Sequence, residues 1–282
     1  MKATARLPWY VIGMMGFSLL ASSVMANPVV IAHRGYSAVA PENTIASIVA
    51  AAPYAWGAEI DIRNTSDREY ILMHDTTVDR TTNGTGSVSG LSFDYIRTLD
   101  AGSWFSSAYV DEQVPTVLEA IDASATNDLK LCVEIKAGAA SELYGILSPY
   151  SEDIEVHSFD WGLLQSIADL GGDFTYVAIG SGNLDAAVES LPSCIDKVSW
   201  NYPGITQSSI DTLHDMNKEV YAWTVDSTSV ALSLADKGVD GIITNNPEGI
   251  SGVLPPVPEP SVVTLLSAFA LFGLFVRKRR TV

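Results

Sequence analysis

The sequence predicts an α/β fold, namely a TIM (β/α)8 barrel with a small insertion after the second strand. Short runs rich in β-branched and aromatic residues alternate with helical patterns, and this alternation indicates a parallel sheet. Eight runs of the strand type are present, which is the number that closes a barrel. A doubly wound sheet is the alternative, but a glycine-rich fingerprint would follow its first strand, and none follows Val29–Ala32.

The predicted strands and helices follow one another at the spacing of βα units. The strands are Val29–Ala32, Ala58–Ile62, Leu129–Ile135, Ile154–His157, Thr175–Ile179, Lys197–Trp200, Val220–Val225 and Gly238–Thr244. The helical patterns include Asn43–Ala52, Trp161–Leu170, Leu184–Ser190, Ser208–Met216 and Val230–Asp236. The chain has 282 residues, and the predicted barrel, residues 27–254, has the size of one such domain.

One connection, at about residues 64–114, is much longer than a βα unit requires. It contains an extra strand-like run at Tyr70–Met73, a turn-rich stretch at Thr81–Ser89 and an aromatic pair, Trp104 and Phe105. Long segments inside compact domains are commonly functional insertions or lids. We therefore expect this insertion to lie over the mouth of the barrel.

Acidic residues dominate the chain, with 33 Asp and Glu against 16 Lys and Arg. Six of the basic residues lie at the extreme ends, which leaves 10 in the part between them. Such a negative field repels nucleic acid and anionic membranes, so we expect neither as a partner. It would also repel a phosphate substrate, which favours a bound cation if the substrate is anionic. Solubility alone is the other explanation of the acidity.

Two cysteines, Cys132 and Cys194, are too few for a disulfide framework. Cys132 shares its strand face with Glu134, so we expect it inside the barrel. A bridge to Cys194 is possible in an oxidising compartment, and the sequence leaves that pairing open.

The first 26 residues have the layout of a secretory signal peptide. Lys2 and Arg6 precede an apolar run, Leu7–Leu20, and small residues precede a cleavage site after Ala26. An uncleaved anchor helix is the alternative, although the apolar run is short for one. We predict that the protein leaves the cytoplasm.

Residues 255–282 combine a Pro-rich linker, an apolar stretch and a basic end. Val257–Pro260 precedes Ser261–Val276, which can just span a bilayer, and Arg277–Arg280 would stay on the cytoplasmic side. The three parts resemble the PEP-CTERM sorting signal of Gram-negative bacteria. That resemblance implies a transient stay in the inner membrane and processing by an exosortase-type protease. A simple anchor is the alternative; either predicts a periplasmic, cell-envelope or extracellular protein.

Three carboxylates fall at the carboxyl ends of two adjacent predicted strands, where TIM barrels place their active sites. Glu59 and Asp61 are two apart and face the same way, and Glu134 ends the next barrel strand. Like charges this close raise each other's pKa unless a cation lies between them, and an oxygen-rich site suits Mg²⁺ or Ca²⁺. The alternative is pairing with Arg63 or another base.

Two histidines are candidates for proton transfer. His33 and Arg34 follow the first strand directly, and His74 follows Tyr70–Met73. Each histidine could be structural, but together they could serve as general base and general acid on opposite sides of one bond. Hydrolysis of a phosphodiester needs that arrangement, with basic side chains and a divalent cation neutralising the phosphoryl oxygens.

Three further residues, Glu42, Asn43 and Trp223, are candidates for roles at the site. Asn43 or Thr44 would cap the first helix, and capping is sufficient to explain both. Glu42 could orient His33 or contact the metal. Trp223 ends the seventh strand and could form an apolar wall for the substrate, although core packing would also explain it.

The motifs at these positions resemble those of the glycerophosphodiester phosphodiesterases, in the same order and spacing. They are Ala32–Gly35, Pro41–Thr44, Glu59–Asp61, His74 and Asp75 with Arg80–Gly86, Glu134–Lys136, Trp223–Val225 and Gly238–Thr244. The resemblance implies a TIM barrel that hydrolyses a glycerophosphodiester to sn-glycerol 3-phosphate and an alcohol. It also implies one divalent cation, Ca²⁺ or Mg²⁺, held by Glu59, Asp61 and Glu134.

The same resemblance implies that His33 and His74 are the acid/base pair and that Arg34 and Lys136 bind the phosphate. Two functional alternatives stay open. One is a related phosphodiesterase that acts on a larger lipid phosphodiester. The other is a non-catalytic, exported phosphate-binding barrel, which the presence of all these side chains disfavours.

Two positions depart from the pattern of the family. Members commonly have Asp where this chain has Asn245, and Asn where this chain has Asp226. The first departure affects contacts of the closing turn, and the second affects substrate contacts near Trp223.

Overall fold

A computed structural model describes residues 27–255. The strands of this part are β1 (Val29–Ala32), β2 (Gly57–Asn64), β3 (Tyr70–Leu72), β4 (Lys130–Ile135), β5 (Ile154–Ser158), β6 (Thr175–Gly180), β7 (Lys197–Asn201), β8 (Glu219–Trp223) and β9 (Gly241–Thr244). Its α-helices are α1 (Ile45–Ala51), α2 (Phe93–Ile96), α3 (Val117–Thr126), α4 (Ala140–Leu147), α5 (Trp161–Ala168), α6 (Leu184–Ala187), α7 (Gln207–Asp215), α8 (Thr228–Lys237) and α9 (Pro247–Ser251).

Every strand except β3 belongs to a closed parallel barrel. Each barrel strand pairs in parallel with its neighbours, and β1 pairs with both β2 and β9, which closes the sheet. Strand β3 pairs antiparallel with β2 and begins the insertion. The predicted TIM barrel is therefore confirmed.

Some element ends differ from the predicted ones because local turn chemistry decides them. Strand β9 begins at Gly241 rather than Gly238, since Gly238 has a φ of +88° and ends α8 in the left-handed conformation that glycine favours. Helix α1 begins at Ile45 because Thr44 is its N-cap, with reciprocal hydrogen bonds to Ser47.

Two apolar layers stabilise the barrel. The main core lies between strands and helices and includes Ile60, Val133 and Leu164. A smaller cluster inside the barrel contains Cys132 and Tyr221, so Cys132 lies where the strand face predicted. Both cysteines are free thiols, and the possible bridge to Cys194 is not formed.

A buried charged network lies beside the inner cluster. The carboxylate of Glu155 contacts Lys197 Nζ at 2.9 Å, His157 Nε2 at 3.3 Å and Tyr221 Oη at 3.3 Å. Burial opposes the ionisation of Glu155, but the hydrogen bond with His157 and the charge of Lys197 outweigh it and lower its pKa to about 2. The ionised form of Glu155 therefore stabilises the folded state.

We expect Glu155→Gln to lower the free energy of unfolding at neutral pH by about 3 kcal/mol, the equivalent of the pKa shift. A carboxyl group with a lowered pKa in the folded state stabilises the fold above its unfolded pKa. That contribution is lost as the pH falls from 4.5 to about 2. In urea unfolding, the difference between wild type and variant should shrink over this range. A difference that does not depend on pH would contradict this account.

The insertion has a small core of its own beside the barrel rim. Its buried apolar side chains are Ile71, Met73, Val78, Val88, Ile96, Leu99, Ala101 and Val114. The segment contacts the loop after β1, where Tyr109 Oη donates a hydrogen bond to the Val39 carbonyl at 2.9 Å. These contacts attach the insertion to the side of the rim formed by β1 and β2.

Among residues 27–255, no helix is both long enough and apolar enough to cross a membrane. The predicted signal peptide, residues 1–26, lies outside the described residues. Residues 256–282, which hold the predicted sorting signal, also lie outside them. Both remain predictions.

Candidate active site

A cavity of about 210 Å³ opens at the carboxyl ends of the barrel strands. It is lined by residues from most of the barrel strands and the loops that follow them. Those predicted from the sequence are His33, Arg34, Glu59, His74, Glu134, Lys136 and Trp223. Side chains from distant parts of the chain therefore face one space at this rim.

The three predicted carboxylates lie together, and two of them, Glu59 and Glu134, line this cavity. Asp61 of β2 pairs in register with Glu134 of β4, and Glu59 lies two residues before Asp61 on the same face. One oxygen from each carboxylate lies within 4.8 Å of the others, and all three residues are buried. These acidic groups could hold a metal ion.

Electrostatics favour a cation at this cluster. Burial, together with the charges of Asp61 and Glu134, raises the pKa of Glu59 well above its usual range. Burial and the charge of Asp61 likewise raise the pKa of Glu134 to about 7. Glu134 Oε1 is buried and has no hydrogen-bond partner among residues 27–255. Three carboxylate oxygens this close together fit a hard divalent cation.

Basic side chains contact the same carboxylates, although Arg63 does not pair with them. Lys136 Nζ lies 3.1 Å from Asp61 Oδ1 and 2.5 Å from Glu134 Oε1, without hydrogen-bond geometry in the second contact. Burial opposes the ionisation of Asp61, but the charges of Lys136 and Arg34 outweigh it and lower its pKa. Of the alternative that Arg63 or another base pairs with them, only the second part holds, because the Arg63 guanidinium donates to the carbonyl oxygen of His74 instead.

His33 follows β1 and presents its ring to the cavity. Its Nδ1 lies 2.7 Å from Asn245 Oδ1, and its Nε2 lies 4.0 Å from Glu59 Oε2. Burial, and then the charge of Arg34, lowers the pKa of His33. The ring is therefore favoured in its neutral form, which can accept a proton.

Arg34 is held by acids on two sides. Its backbone N–H donates to Glu59 Oε2 at 2.9 Å, and its guanidinium donates to Glu42 at 2.8 Å. The φ of Arg34 is +57°, a left-handed conformation that turns the chain sharply at the end of β1. This turn places a fixed positive charge beside the carboxylates.

His74 comes from the insertion, beside β2, and lines the cavity. Its Nδ1 lies 2.8 Å from Asp75 Oδ1, which leaves Nε2 free of that contact. Arg80 donates to both oxygens of Asp75, and hydrogen bonds from Arg80 lower the pKa of Asp75. An ionised Asp75 can therefore orient the His74 ring.

Glu42 makes contacts that its position in the sequence did not predict. It accepts hydrogen bonds from Arg34 and from Arg80, at 2.7 to 2.8 Å. It thus links the loop after β1 to the insertion, and it makes no hydrogen bond to His33. Arg80 was assigned no role from the sequence, which does not show that it joins Asp75 to Glu42, 38 residues away.

Asn43 supports the carboxylate site, and the other candidate for the cap, Thr44, is the one that caps the helix. Thr44 caps α1, whereas Asn43 Nδ2 donates to Asp61 Oδ2 at 2.8 Å and Asn43 Oδ1 accepts from the Asp61 N–H at 3.0 Å. Its φ of +56° turns the side chain toward β2, and asparagine tolerates that conformation better than most residues.

Trp223 forms one wall of the cavity and also packs. Its Nε1 donates to the Ser199 carbonyl at 2.9 Å, and its ring meets Phe159 edge to face with centroids 5.9 Å apart. Phe159 was not singled out from the sequence, yet it lines the cavity and is 52% exposed. The two aromatic rings give one side of the site an apolar surface.

The two residues that depart from the family pattern are in contact with each other. Asp226 accepts a hydrogen bond from Asn245 Nδ2 at 2.8 Å, and Asn245 in turn contacts His33. Neither residue was selected as a site residue, because the sequence does not reveal that Asn245 contacts His33, 212 positions away, or that Asp226 contacts Asn245.

Residues 33–249 match the Glycerophosphoryl diester phosphodiesterase family. The chain is 33% identical over 233 residues to the Bacillus subtilis protein YhdW. The aligned residues cover 78% of this chain and 96% of that protein. It is 32% identical over 231 residues to a glycerophosphodiester phosphodiesterase of Caldanaerobacter subterraneus subsp. tengcongensis, with coverages of 78% and 94%.

Solved structures agree with this match. An Oleispira antarctica phosphodiesterase in complex with the product sn-glycerol-3-phosphate superimposes with a TM-score of 0.75 at 27% identity, over 80% of this chain and 96% of that one. A glycerophosphodiester phosphodiesterase from Agrobacterium tumefaciens superimposes with a TM-score of 0.69 at 26% identity, over 80% and 100%. Family, fold and motifs coincide over the same barrel. The chain therefore belongs to the glycerophosphoryl diester phosphodiesterase family and is an enzyme of the phosphodiesterase class, as its motifs predicted.

Proposed function

We propose that this protein hydrolyses glycerophosphodiesters to sn-glycerol 3-phosphate and an alcohol, with a divalent cation bound. The observation that carries the proposal is the single cavity that His33 and His74 line together with two of the clustered carboxylates. The product complex of the Oleispira antarctica relative supports the choice of substrate. Glycerophosphodiesters are anionic, so their binding by an acidic protein requires local positive charge.

Positive charge at the phosphate would come from three sources. Glu59, Asp61 and Glu134 would hold Ca²⁺ or Mg²⁺, which when bound neutralises charge on the phosphoryl oxygens. Arg34 and Lys136 line the same cavity and can donate hydrogen bonds to those oxygens. The aromatic side of the cavity would contact the carbon atoms of the substrate.

Two imidazoles would move the protons. One takes a proton from the attacking oxygen as its bond to phosphorus forms, and the other gives a proton to the leaving alcohol oxygen as its bond to phosphorus breaks. His33 and His74 fit these tasks because each ring has its Nδ1 bound by a side-chain oxygen. Their Nε2 atoms are then available to the substrate.

The test uses the purified protein with glycerophosphocholine, in Ca²⁺, in Mg²⁺ and in EDTA, and measures released glycerol 3-phosphate. We expect turnover with a divalent cation and none in EDTA. Lysophosphatidylcholine and phosphatidylinositol assayed in parallel distinguish the larger lipid substrates. Absence of turnover on every diester with every cation would reject the enzyme mechanism and favour a phosphate-binding barrel.

We also propose that the protein is exported and then processed. Residues 1–26 support cleavage by a signal peptidase, and residues 255–282 support removal of the tail by an exosortase-type protease after a transient stay in the inner membrane. We expect the mature protein to begin at Asn27 and to lack the basic end. Intact-mass measurement of the protein from its native cells tests this, and the mass of the full chain would contradict it.

A further inference from the structure

A chain of hydrogen bonds runs from Asp226 through Asn245 to His33. Asp226 Oδ2 accepts from Asn245 Nδ2 at 2.8 Å, and Asn245 Oδ1 lies 2.7 Å from His33 Nδ1. The three residues come from the loop after β8, the end of β9 and the end of β1. They meet because β9 pairs with both of the other strands.

The direction of these hydrogen bonds is determined by the carboxylate. Asp226 Oδ1 accepts from the Asn245 backbone N–H at 2.8 Å and from Thr244 Oγ1 at 3.0 Å, so Asp226 acts only as an acceptor. The amide of Asn245 must therefore direct its NH₂ group to Asp226 and its oxygen to His33. Ser37 Oγ lies 2.9 Å from both the Asn245 oxygen and the His33 carbonyl oxygen, so its single proton can go to either and the carboxylate alone decides the orientation.

An amide oxygen facing Nδ1 requires a proton on that nitrogen. The lone pair of the neutral ring is then on Nε2, the nitrogen on the Glu59 side of the ring. We propose that Asp226 is a positioning residue, which acts through Asn245 to hold His33 in the tautomer with its proton on Nδ1. This inference rests on the proposed role of His33 in proton transfer, because only a fixed lone pair on Nε2 makes the ring ready to accept a proton.

Asp226→Asn changes the Asp226 end of this row of hydrogen bonds, because an amide can donate whereas the carboxylate can only accept. The new amide can direct its NH₂ group toward Asn245, whose side chain then flips and directs its own NH₂ group toward His33. Nδ1 must now accept, so the proton moves to Nε2 and the lone pair is lost from the cavity side. We expect kcat to fall by about 10²-fold while KM stays near that of the wild type.

The double variant Asp226→Asn/Asn245→Asp restores the original direction of the hydrogen bond, in which His33 Nδ1 donates. The carboxylate is then at position 245, where it accepts from His33 Nδ1 and from the amide at position 226. We expect this variant to recover most of the lost kcat, although both positions have changed. Asn245→Asp alone places two carboxylates side by side and should be less active than the double variant. If Asp226 only stabilised the end of β9, the double variant would not recover kcat.

The tautomer itself can be measured without an activity assay. The ¹⁵N spectrum of ring nitrogens separates protonated from unprotonated Nδ1 and Nε2, and the chain has only four histidines. Loss of signals in His33→Gln assigns His33. Asp240→Asn is the matched control, because it makes the same substitution at another carboxylate beside a histidine. Asp240 contacts His214 Nε2 at 2.8 Å, and neither residue lines the cavity.

We expect the His33 signals to be exchanged between the two nitrogens in Asp226→Asn, restored in the double variant and unchanged in Asp240→Asn, all recorded in Mg²⁺. His33 signals that keep the wild-type pattern in a folded Asp226→Asn protein would overturn the proposal. So would a double variant no more active than Asp226→Asn. Exchanged signals in a protein whose wild type cleaves no diester would support the positioning of the ring and reject the proposed function instead.

Discussion

Replacing His74 with alanine is expected to lower kcat for a glycerophosphodiester by at least about 10²-fold, and His33→Ala should do the same. Both rings line one cavity. Each is bound through Nδ1 to a side-chain oxygen, at 2.7 Å for His33 and 2.8 Å for His74. Such contacts hold a ring in one orientation, which a purely space-filling histidine does not require.

The environments of the two rings differ in a way that suits two different proton transfers. His33 contacts the uncharged amide of Asn245, and burial lowers its pKa, so its neutral form is favoured. His74 contacts Asp75, whose lowered pKa keeps a negative charge beside the ring. We therefore expect His33 to act as the base, which leaves the role of acid to His74.

His214→Ala is the control for this pair. His214 lies in α7, its Nε2 contacts Asp240, and it does not line the cavity. We expect this variant to keep its activity. The double variant His33→Ala/His74→Ala should be little worse than the weaker single variant, because both rings serve one transition state. A fall of less than about tenfold in either single variant would assign that histidine to structure.

The barrel and its carboxylates were predictable because both follow from local rules. The run Val29–Ala32 is apolar and ends where His33 begins, and β1 has those bounds. Alternation along a strand places Glu59 and Asp61 on one face, and adjacency of parallel strands then brings Glu134 beside them. No information beyond strand parity and strand order was required.

The partners of these residues were not predictable, because they depend on loops that reverse direction. Asn43 reads as a helix cap, since the sequence does not show that its φ is positive and that it bonds Asp61. Glu42 bonds Arg80 across the insertion, and that contact depends on how the insertion packs. Helix and strand periodicity describe one element at a time. Contacts between loops therefore require the tertiary structure.

Replacing Glu59 with glutamine is expected to weaken Mg²⁺ or Ca²⁺ binding by more than about 10²-fold while leaving the metal-free protein nearly as stable as the wild type. Without a cation, burial and the charges of Asp61 and Glu134 raise the pKa of Glu59 and favour its neutral form. A neutral amide of the same shape is then a close substitute, and its oxygen can still accept the Arg34 N–H. A bound cation instead needs the anionic carboxylate, which the amide does not supply.

Thermal unfolding with and without the cation separates these two effects. A cation at 100 times its Kd should stabilise the wild type by about 2.7 kcal/mol, and the resulting rise in Tm should be absent in Glu59→Gln. Asp196→Asn is the matched control, since Asp196, just before β7, accepts from the N–H of Tyr176 at the start of β6, at the opposite ends of the strands from the carboxylate cluster. It should keep the full cation-dependent rise. If Glu59→Gln keeps that rise as well, the cation binds elsewhere, and Glu59, Asp61 and Glu134 do not form its site.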